Sequence, residues 1–399
     1  MLEKNRVRTI ITQDAEVDDQ NSLRHFLLCS NEVELQGIVQ TSSKFHWIGV
    51  PGAVKPEKKI LDDFDNQFMA ETGPFDAPYR WPGTDWMWKQ IDDYEKDYPN
   101  LIRHSPDYPT PDYLRSITKI GNIGYEGECE KASEGSELIK KHMLDDDPRP
   151  LYLQVWGGMN TIARALMDIQ SEYEETEEWD ALHKRISDKV VITACGEQDP
   201  AYREYVAEEW PDIMFVKALH LFSYAYPWLG MPECDSKDTL RASFMKAEIL
   251  NGKSALADGY CTWLDGNYYE GEDDDAQFGA NQNITKEWFG VTVMGMPEPV
   301  KYDFLSEGDS PTFFMLFDSG FRTLEDFGNG GLSGRFCKKT DEFNSKGEAL
   351  NYWDACRDSF TDRDGNTAES GDRIHVIAKA QADGYHKLTY YQQVIITAE

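Results

Sequence analysis

Apolar residues in this chain gather into short continuous runs, several of them followed by apolar residues at helical spacing. Val7 to Ile11 is the first such run and predicts a buried strand. Beyond an acidic turn, Leu23, Phe26 and Leu27 recur at helical spacing, which predicts a helix beginning near Asp18 or Gln20. Glu34 to Thr41 predicts a second strand, and strand, helix, strand in about forty residues is a βαβ unit with parallel strands. Glu134 to Met143 reads as a helix stopped by Asp145-Asp-Asp-Pro-Arg-Pro. Leu151 to Trp156 reads as a central strand, leading through Gly157-Gly-Met-Asn-Thr-Ile-Ala163 into a helix that contains Leu166 and Ile169. Lys189 to Ala194 and Ile213 to Ala218 predict two more strands, with a helix through Tyr205 and Ala207 between them.

Three strands in a row thus end in small-residue or acidic turns, which is how a doubly wound sheet builds one site from several loops. Near the end, Arg373 to Ala380 and Leu388 to Thr397 alternate apolar and polar residues, like two half-exposed strands. The expected fold is α/β, a doubly wound and mostly parallel sheet with a small C-terminal β appendage. Its expected division is a main domain over 1–335 and a short β-rich extension over 336–399.

Other stretches are less regular. Prolines, tryptophans and acids crowd the region from Pro51 to Pro111, with Trp81, Trp86 and Trp88 close together. Either these rings pin an irregular segment to the core, or they line a lid or sugar-binding surface. The glycines at 121, 124 and 127 lack dinucleotide-binding spacing and predict a mobile or close-approach loop. Glu270 to Asp275 reads as a solvated acidic loop, since it lacks the spacing of an EF-hand.

Composition narrows the functions. The 399 residues are 40% hydrophobic and 13% aromatic, enough for one large packed α/β domain or two modest ones. Seventy-two acids against 40 bases leave a net charge of −32, a field that repels nucleic acid and anionic membranes. Seven dispersed cysteines, without a Cys-x-x-Cys pair, argue against a disulfide framework and a zinc site, though one or two bridges fit an exported protein. No apolar run approaches membrane-spanning length. The charged start, Met1-Leu-Glu-Lys-Asn-Arg, lacks the pattern of a signal peptide, which leaves a cytoplasmic protein and a secreted one with its signal removed both open.

The chemistry concentrates after the first strand. Asp14, Glu16, Asp18 and Asp19 place four carboxylates within six positions, at the strand end where open α/β sheets hold ligands. Such charges repel unless water, a helix N-terminus or a cation screens them, and hard oxygen donors suit Ca²⁺ or Mg²⁺ better than zinc. The plainer alternative is a solvated turn with Asp18 capping the helix. His46 and Trp47 follow the second strand on the same edge, as pocket lining or as loop packing. Asp309 precedes a strongly apolar stretch, as a cap or a ligand.

Taken together, these segments resemble the nucleoside hydrolases. Thr12-x-Asp14-x-x-x-Asp18-Asp19 is similar to that family's Asp-x-Asp-Pro-Gly-x-Asp-Asp signature, and Gly157-Gly-Met-Asn-Thr-Ile-Ala163 to its Gly-Pro-Leu-Thr-Asn-Ile-Ala segment. Gly308-Asp309 falls where the family has a His-Asp pair. The closer resemblance, over roughly residues 7 to 335, is to nucleoside hydrolase-like proteins often labelled cellulose-binding, themselves related to inosine-uridine-preferring nucleoside hydrolases. In those, Asp-Ala-Glu-Val-Asp-Asp-Gln-Asn-Ser, Trp-Gly-Gly-x-Asn-Thr and Glu-Gly-Asp-Ser-Pro-Thr recur in this order.

The resemblance implies that Asp14, Asp19 and Asp309 bind Ca²⁺ through carboxylates and Asn160 through its backbone carbonyl. It implies that Asp14 is also the base that takes a proton from the attacking water, that Asp18 holds a sugar hydroxyl, and that Glu197 and Asp199 lie near the sugar's far hydroxyl. The implied function is Ca²⁺-dependent hydrolysis of an N-ribosyl or O-glycosyl bond in a small sugar conjugate or glycan, with a non-catalytic carbohydrate-binding protein as the alternative. A homodimer is expected on the same ground. Three departures qualify the match: Thr12 replaces the first aspartate, Ala15-Glu16 replaces Pro-Gly, and Gly308 replaces the histidine that protonates a leaving base. Glu307, His46 and Glu16 are the replacement acids considered. The family's usual C-terminal β-sandwich is also shortened, with about sixty residues past Gly334.

Overall fold

The computed structural model describes residues 6–55, 73–218, 228–229, 235–265, 299–318, 322, 324, 326–328, 335–355, 360–361 and 367–368. The first apolar run forms β1 (Val7–Gln13), and helix α1 (Val17–Leu28) follows after only three residues. Next come β2 (Val33–Gln40), α2 (Trp86–His104), α3 (Pro111–Ile117) and β3 (Thr118–Ile120). The second half runs α4 (Glu134–Leu144), β4 (Leu151–Val155), α5 (Asn160–Tyr173), α6 (Trp179–Lys189), β5 (Val190–Ala194) and β6 (Met214–Lys217). Two late strands, β7 (Phe336–Lys338) and β8 (Tyr352–Ala355), complete an eight-stranded sheet ordered β3-β2-β1-β4-β5-β6-β8-β7. Every pairing in it is parallel except β7 against β8. A separate antiparallel pair joins Phe360–Thr361 to Thr367–Ala368.

This is the doubly wound architecture expected. The chain steps outward through β1, β2 and β3, then returns to β4 on the other side of β1 and steps the opposite way. At such a reversal the loops leaving the two neighbouring strands diverge and open a crevice. Register places the crevice: Thr12 pairs with Val155 and Gln13 with Gln40, so Asp14 emerges between the loops that follow β2 and β4.

Both faces of the sheet are covered, which is why its central strands are apolar without alternation. One face packs α1 and α2 through Leu23, Phe26, Leu27, Met87, Ile91 and Tyr94, together with Phe313 and Phe314. The other packs α4, α5 and α6 through Ile139, Met143, Ile162, Leu166, Leu182 and Ile186.

The aromatic-rich region differs from an irregular loop. From Trp86 onward it is a 19-residue helix whose buried positions Trp86, Met87, Gln90, Ile91, Tyr94, Asp97 and Leu101 follow helical spacing, with Pro99 inside it. Trp86 is buried and Trp88 packs against the same core, so these rings are spent on packing. The glycine-rich stretch is a close-approach loop: a Cβ on Gly121 would lie 2.6 Å from the Gln40 carbonyl oxygen. The acidic stretch 270–275 and the strands expected over 373–380 and 388–397 lie outside the described residues. Cys337 is disulfide-bonded, and among the described residues Cys29, Cys129, Cys195 and Cys261 are not. No described helix is long and apolar enough to cross a membrane.

Candidate active site

The turn between β1 and α1 is built around Asp14. Its backbone N–H donates to Asp19 Oδ1 (3.1 Å), and its Oδ1 accepts from the Glu16 N–H (3.2 Å). Its Oδ2 is buried without a hydrogen-bond partner among the described residues and lies 3.7 Å from His46 Nδ1. Burial raises the Asp14 carboxyl, but the His46 charge and the polar side chains of His46, Asp19 and Ser43 around it outweigh that and hold the group at about 2. Glu16 joins this corner: oxygens of Asp14 and Glu16 and a His46 ring nitrogen all lie within 4.8 Å of one another. Arg80 reaches Glu16 at 3.2 Å. Ala15 turns the chain with φ +75°, a left-handed conformation that costs an L-residue about 1 kcal/mol.

A second group sits beside the first. Carboxylate oxygens of Asp18, Asp19 and Asp309 lie within 4.8 Å of one another, although Asp309 is nearly three hundred residues distant in sequence. Asp19 and Asp309 are buried, Asp18 is partly exposed, and Asp309 Oδ2 has no hydrogen-bond partner among the described residues. Burial first, and then mutual repulsion with Asp14 and Asp18, push the Asp19 and Asp309 carboxyls well above the ordinary range.

A buried network behind Asp309 holds its loop. Glu307 accepts from Tyr260 Oη (2.7 Å) and Ser310 Oγ (2.6 Å) and pairs with His25 Nδ1 at 2.7 Å. Burial lowers the His25 ring, but Glu307 outweighs it, and the ring is pushed up to about 10.

The glycine pair after β4 lets backbone close in on the acids. A Cβ on Gly157 would lie 2.6 Å from Asp14 Cβ, and one on Gly158 would lie 2.5 Å from Asp199 Oδ2. Asn160 starts α5, and its side-chain amide donates to Ser42 Oγ and to the carbonyls of Asn122 and Glu128, while Thr41 donates to its Oδ1. Its side chain therefore ties the loops after β2, β3 and β4 together. Asp199 accepts from the backbone N–H groups of Asn160 (2.9 Å) and Ala201 (3.0 Å), and burial raises its carboxyl to about 6. Glu197 is buried and forked by Arg203 through two bonds of 2.7 and 2.8 Å. Trp47 is fully buried against Phe75 and Tyr79 and donates to the carbonyls of Pro74 and Ala77.

The structure therefore brings Asp14, Asp18, Asp19, His46 and Asp309 together, with the loop bearing Asn160 alongside. It uses Glu197, Asp199 and Trp47 in an ion pair, a helix cap and loop packing. The donors of the acidic cluster are oxygens, two of them buried and unsatisfied, and that set fits a hard divalent cation.

Residues 8–336 match the profile described as "Cellulose-binding Sde182, nucleoside hydrolase-like domain". The chain belongs to this family. No curated relative matches it. Among solved structures, a nucleoside hydrolase-related hypothetical protein from Saccharophagus degradans, associated with carbohydrate metabolism, is 20% identical with a TM-score of 0.55, over 95% of this chain and 72% of that one. The type III effector protein XopQ complexed with adenosine diphosphate ribose (10% identity, TM-score 0.40, 94% and 93% covered) is a fainter likeness. So is the plant nucleoside hydrolase PpNRh1 (9%, 0.38, 94% and 98%). The first supports the fold, and nothing further rests on the other two.

Two departures of this nucleoside hydrolase-like chain acquire physical reasons. Proline locks φ near −65° and cannot adopt the +75° found at Ala15, so the turn takes another form here. At Gly308, a Cβ would lie 2.4 Å from Asp18 Oδ2, so any side chain there would turn the Asp18 carboxylate tip from its present position. Sequence reading also missed Glu126, a buried acid on the loop after β3, because nothing in its local pattern announces burial.

Proposed function

We propose that this protein is a Ca²⁺-dependent hydrolase that cleaves the glycosidic bond of a sugar conjugate or glycan. The observation that carries the reading is the meeting of Asp14, Asp19 and Asp309, whose buried carboxylates include two oxygens without hydrogen-bond partners among the described residues. Asp14, Asp19, Asp309 and the backbone carbonyl of Asn160 are the proposed Ca²⁺ ligands. When bound, the cation would neutralise the clustered charge, hold sugar hydroxyls and acidify water.

The chain's own residues supply the remaining steps. Asp14 is strongly acidic and ionised at neutral pH, as a carboxylate that accepts a proton from an attacking water must be. The proposed role of Asp18, the partly exposed member of the cluster, is to accept a hydrogen bond from a sugar hydroxyl, and its exposure supports that role. The negative charge around the anomeric carbon favours an oxocarbenium-like transition state. The family's cellulose-binding description supports a sugar ligand. Binding without turnover leans on the absent histidine and on the Trp81 to Trp88 segment, and it is the weaker reading because Trp86 of that segment is buried and Trp88 packs against the core.

The test is release of product from a panel of nucleosides and p-nitrophenyl glycosides by Ca²⁺-loaded protein. Asp14→Asn is expected to lower kcat on the accepted member by about 10³-fold. A variant that keeps its activity would remove Asp14 from the role of base.

A further inference from the structure

The turn after β1 offers oxygen donors, which suit hard cations, but His46 brings a nitrogen to one side of it. We propose that Asp14, Glu16 and His46 form a second metal site, for a borderline divalent cation of the zinc class. The site goes beyond the Ca²⁺ reading and shares only Asp14 with it. Oxygens of Asp14 and Glu16 and a His46 ring nitrogen all lie within 4.8 Å of one another, and the three residues are 1%, 7% and 0% exposed. The observation that points to a ligand is Asp14 Oδ2. It is buried, has no hydrogen-bond partner among the described residues, and faces His46 Nδ1 at 3.7 Å. A hydrogen bond does not reach that far. Two donors about 2.0–2.2 Å from one tetrahedral ion stand roughly 3.3–3.6 Å apart. The gap is thus close to the span of an ion and wide for a proton.

The fold presents these donors from two loops and braces them from a third. Asp14 and Glu16 flank Ala15, and the bond from the Glu16 N–H to Asp14 Oδ1 (3.2 Å) holds both in one bend. His46 lies on the loop after β2, where its carbonyl accepts from the Ser43 N–H (3.1 Å). Beside it Trp47 and Tyr79 exchange two backbone bonds, of 3.1 and 3.0 Å. That bridge also brings in Arg80, which contacts Glu16 Oε1 at 3.2 Å. An outer contact of this kind orients a ligating carboxylate. The Arg80 charge offsets that of Glu16, and Asp14 keeps a negative charge to meet a cation.

The two sets of donors differ in the metal they prefer. Asp18, Asp19 and Asp309 offer oxygen alone, which suits Ca²⁺, whereas imidazole with carboxylates suits Zn²⁺ and its first-row neighbours. Asp14 stands between them, since its backbone N–H donates to Asp19 Oδ1 (3.1 Å) while its Oδ2 faces His46. A carboxylate has about four lone-pair sites and can serve two ions. Three protein donors leave the fourth position of a tetrahedron for water or substrate.

The experiment takes full-length, metal-stripped protein, saturates it with Ca²⁺, and then titrates Zn²⁺, or Co²⁺ for its visible d–d bands. Wild type is expected to show a second rise in Tm as Zn²⁺ binds, and Co²⁺ to give the bands of a low-coordinate site. His46→Asn should weaken Zn²⁺ binding by about 10²-fold or more, beyond what outer-contact changes usually cost, and lose the Co²⁺ bands. It should keep the Ca²⁺ rise, whereas Asp309→Asn should lose that rise and keep the response to Zn²⁺. A Zn²⁺ response unchanged in His46→Asn would overturn the assignment, as would Zn²⁺ that enters only by displacing Ca²⁺. So would a wild type indifferent to Zn²⁺ and Co²⁺, the result that an ion pair between Asp14 and a protonated His46 would give. Should His46→Asn fail to fold, Glu16→Gln must weaken Zn²⁺ binding by at least about tenfold, and an unmoved affinity overturns the site equally. Wild type that answers Zn²⁺ but not Ca²⁺ would sink the calcium reading and leave this site standing.

Discussion

At the amino edge of the sheet Asp145, Asp147 and Glu34 each have a cation, whereas at the carboxyl edge Asp18, Asp19 and Asp309 face one another. Below, Arg8 reaches Asp145 at 2.5 Å and Asp147 at 3.4 Å, Lys189 reaches Asp145 at 2.5 Å, and Arg149 holds both Asp147 (2.7 Å) and Glu34 (2.9 Å). Burial raises Asp145, but Lys189 and Arg8 outweigh it and leave the carboxyl below its ordinary value. Above, burial and like charge drive Asp19 and Asp309 the other way. Both groups are long-range meetings of polar residues around the same strands. The lower one pairs Asp145, Asp147 and Glu34 with cations, although Arg8 Nε and Nη1 make no hydrogen bond among the described residues, and it fastens β1 to the starts of β4 and β5. The upper one gathers like charges, with Asp14 Oδ2 and Asp309 Oδ2 lacking hydrogen-bond partners among the described residues, and the proposed cation would answer that contrast.

The largest effect should come from breaking the paired edge. Arg8→Met is expected to cost about 3 kcal/mol in urea unfolding, equally with and without Ca²⁺, because it leaves Asp145 and Asp147 short of a buried partner. Asp145 has a lowered folded-state pKa, so its contribution is present above the unfolded value of about 3.9 and is lost as pH falls. Arg8→Met should flatten that acid-side loss, and an unchanged slope would show that Arg8 is not the partner that matters.

Ca²⁺ at a hundred times its Kd should stabilise metal-stripped protein by about 2.7 kcal/mol. Asp309→Asn should abolish this gain while raising the Tm of the metal-free protein, since it removes one of the repelling charges. A Ca²⁺ response that survives Asp309→Asn would place the cation elsewhere. The smallest effect is at the turn: Ala15→Gly relieves the left-handed strain but loosens the unfolded chain, for a net gain of about 0.5 kcal/mol. Chemical denaturation resolves that difference, and a loss of stability would show that the Ala15 methyl packs better than its backbone suffers.

Much of this was legible in residue order. β1, β2, β4, β5 and β6 are short runs rich in apolar and β-branched residues between turn residues, broken by only a few polar ones such as Arg8, Glu34, Gln36 and Gln154, and the acidic turn, the glycine pair and Asp309 carry their chemistry in short strings. Helix α2 was hidden because Pro99 and a dense scatter of acids break the usual helical impression, although Trp86, Ile91, Tyr94 and Leu101 keep its buried stripe. Helix α6 buries only Leu182, Ile186, Ser187 and Lys189 and reads as a charged linker. The roles of Glu197 and Asp199 depend on what folds against them. Asp199 had a signal in its place before Pro200 at a helical start, which is a capping position as much as a binding one. Glu197 and Glu126 had none: an ion pair six residues away and the burial of an acid on the loop after β3 exist only in three dimensions.

The contact between Gly308 and Asp18 also constrains redesign. An imidazole grafted onto position 308 to favour purine or pyrimidine departure would first have to turn the Asp18 carboxylate tip aside, since that oxygen lies 2.4 Å from where a Cβ would stand. A new proton donor there would therefore be gained at the expense of the present orientation of the proposed holder of the sugar, and the two functions would have to be tuned together.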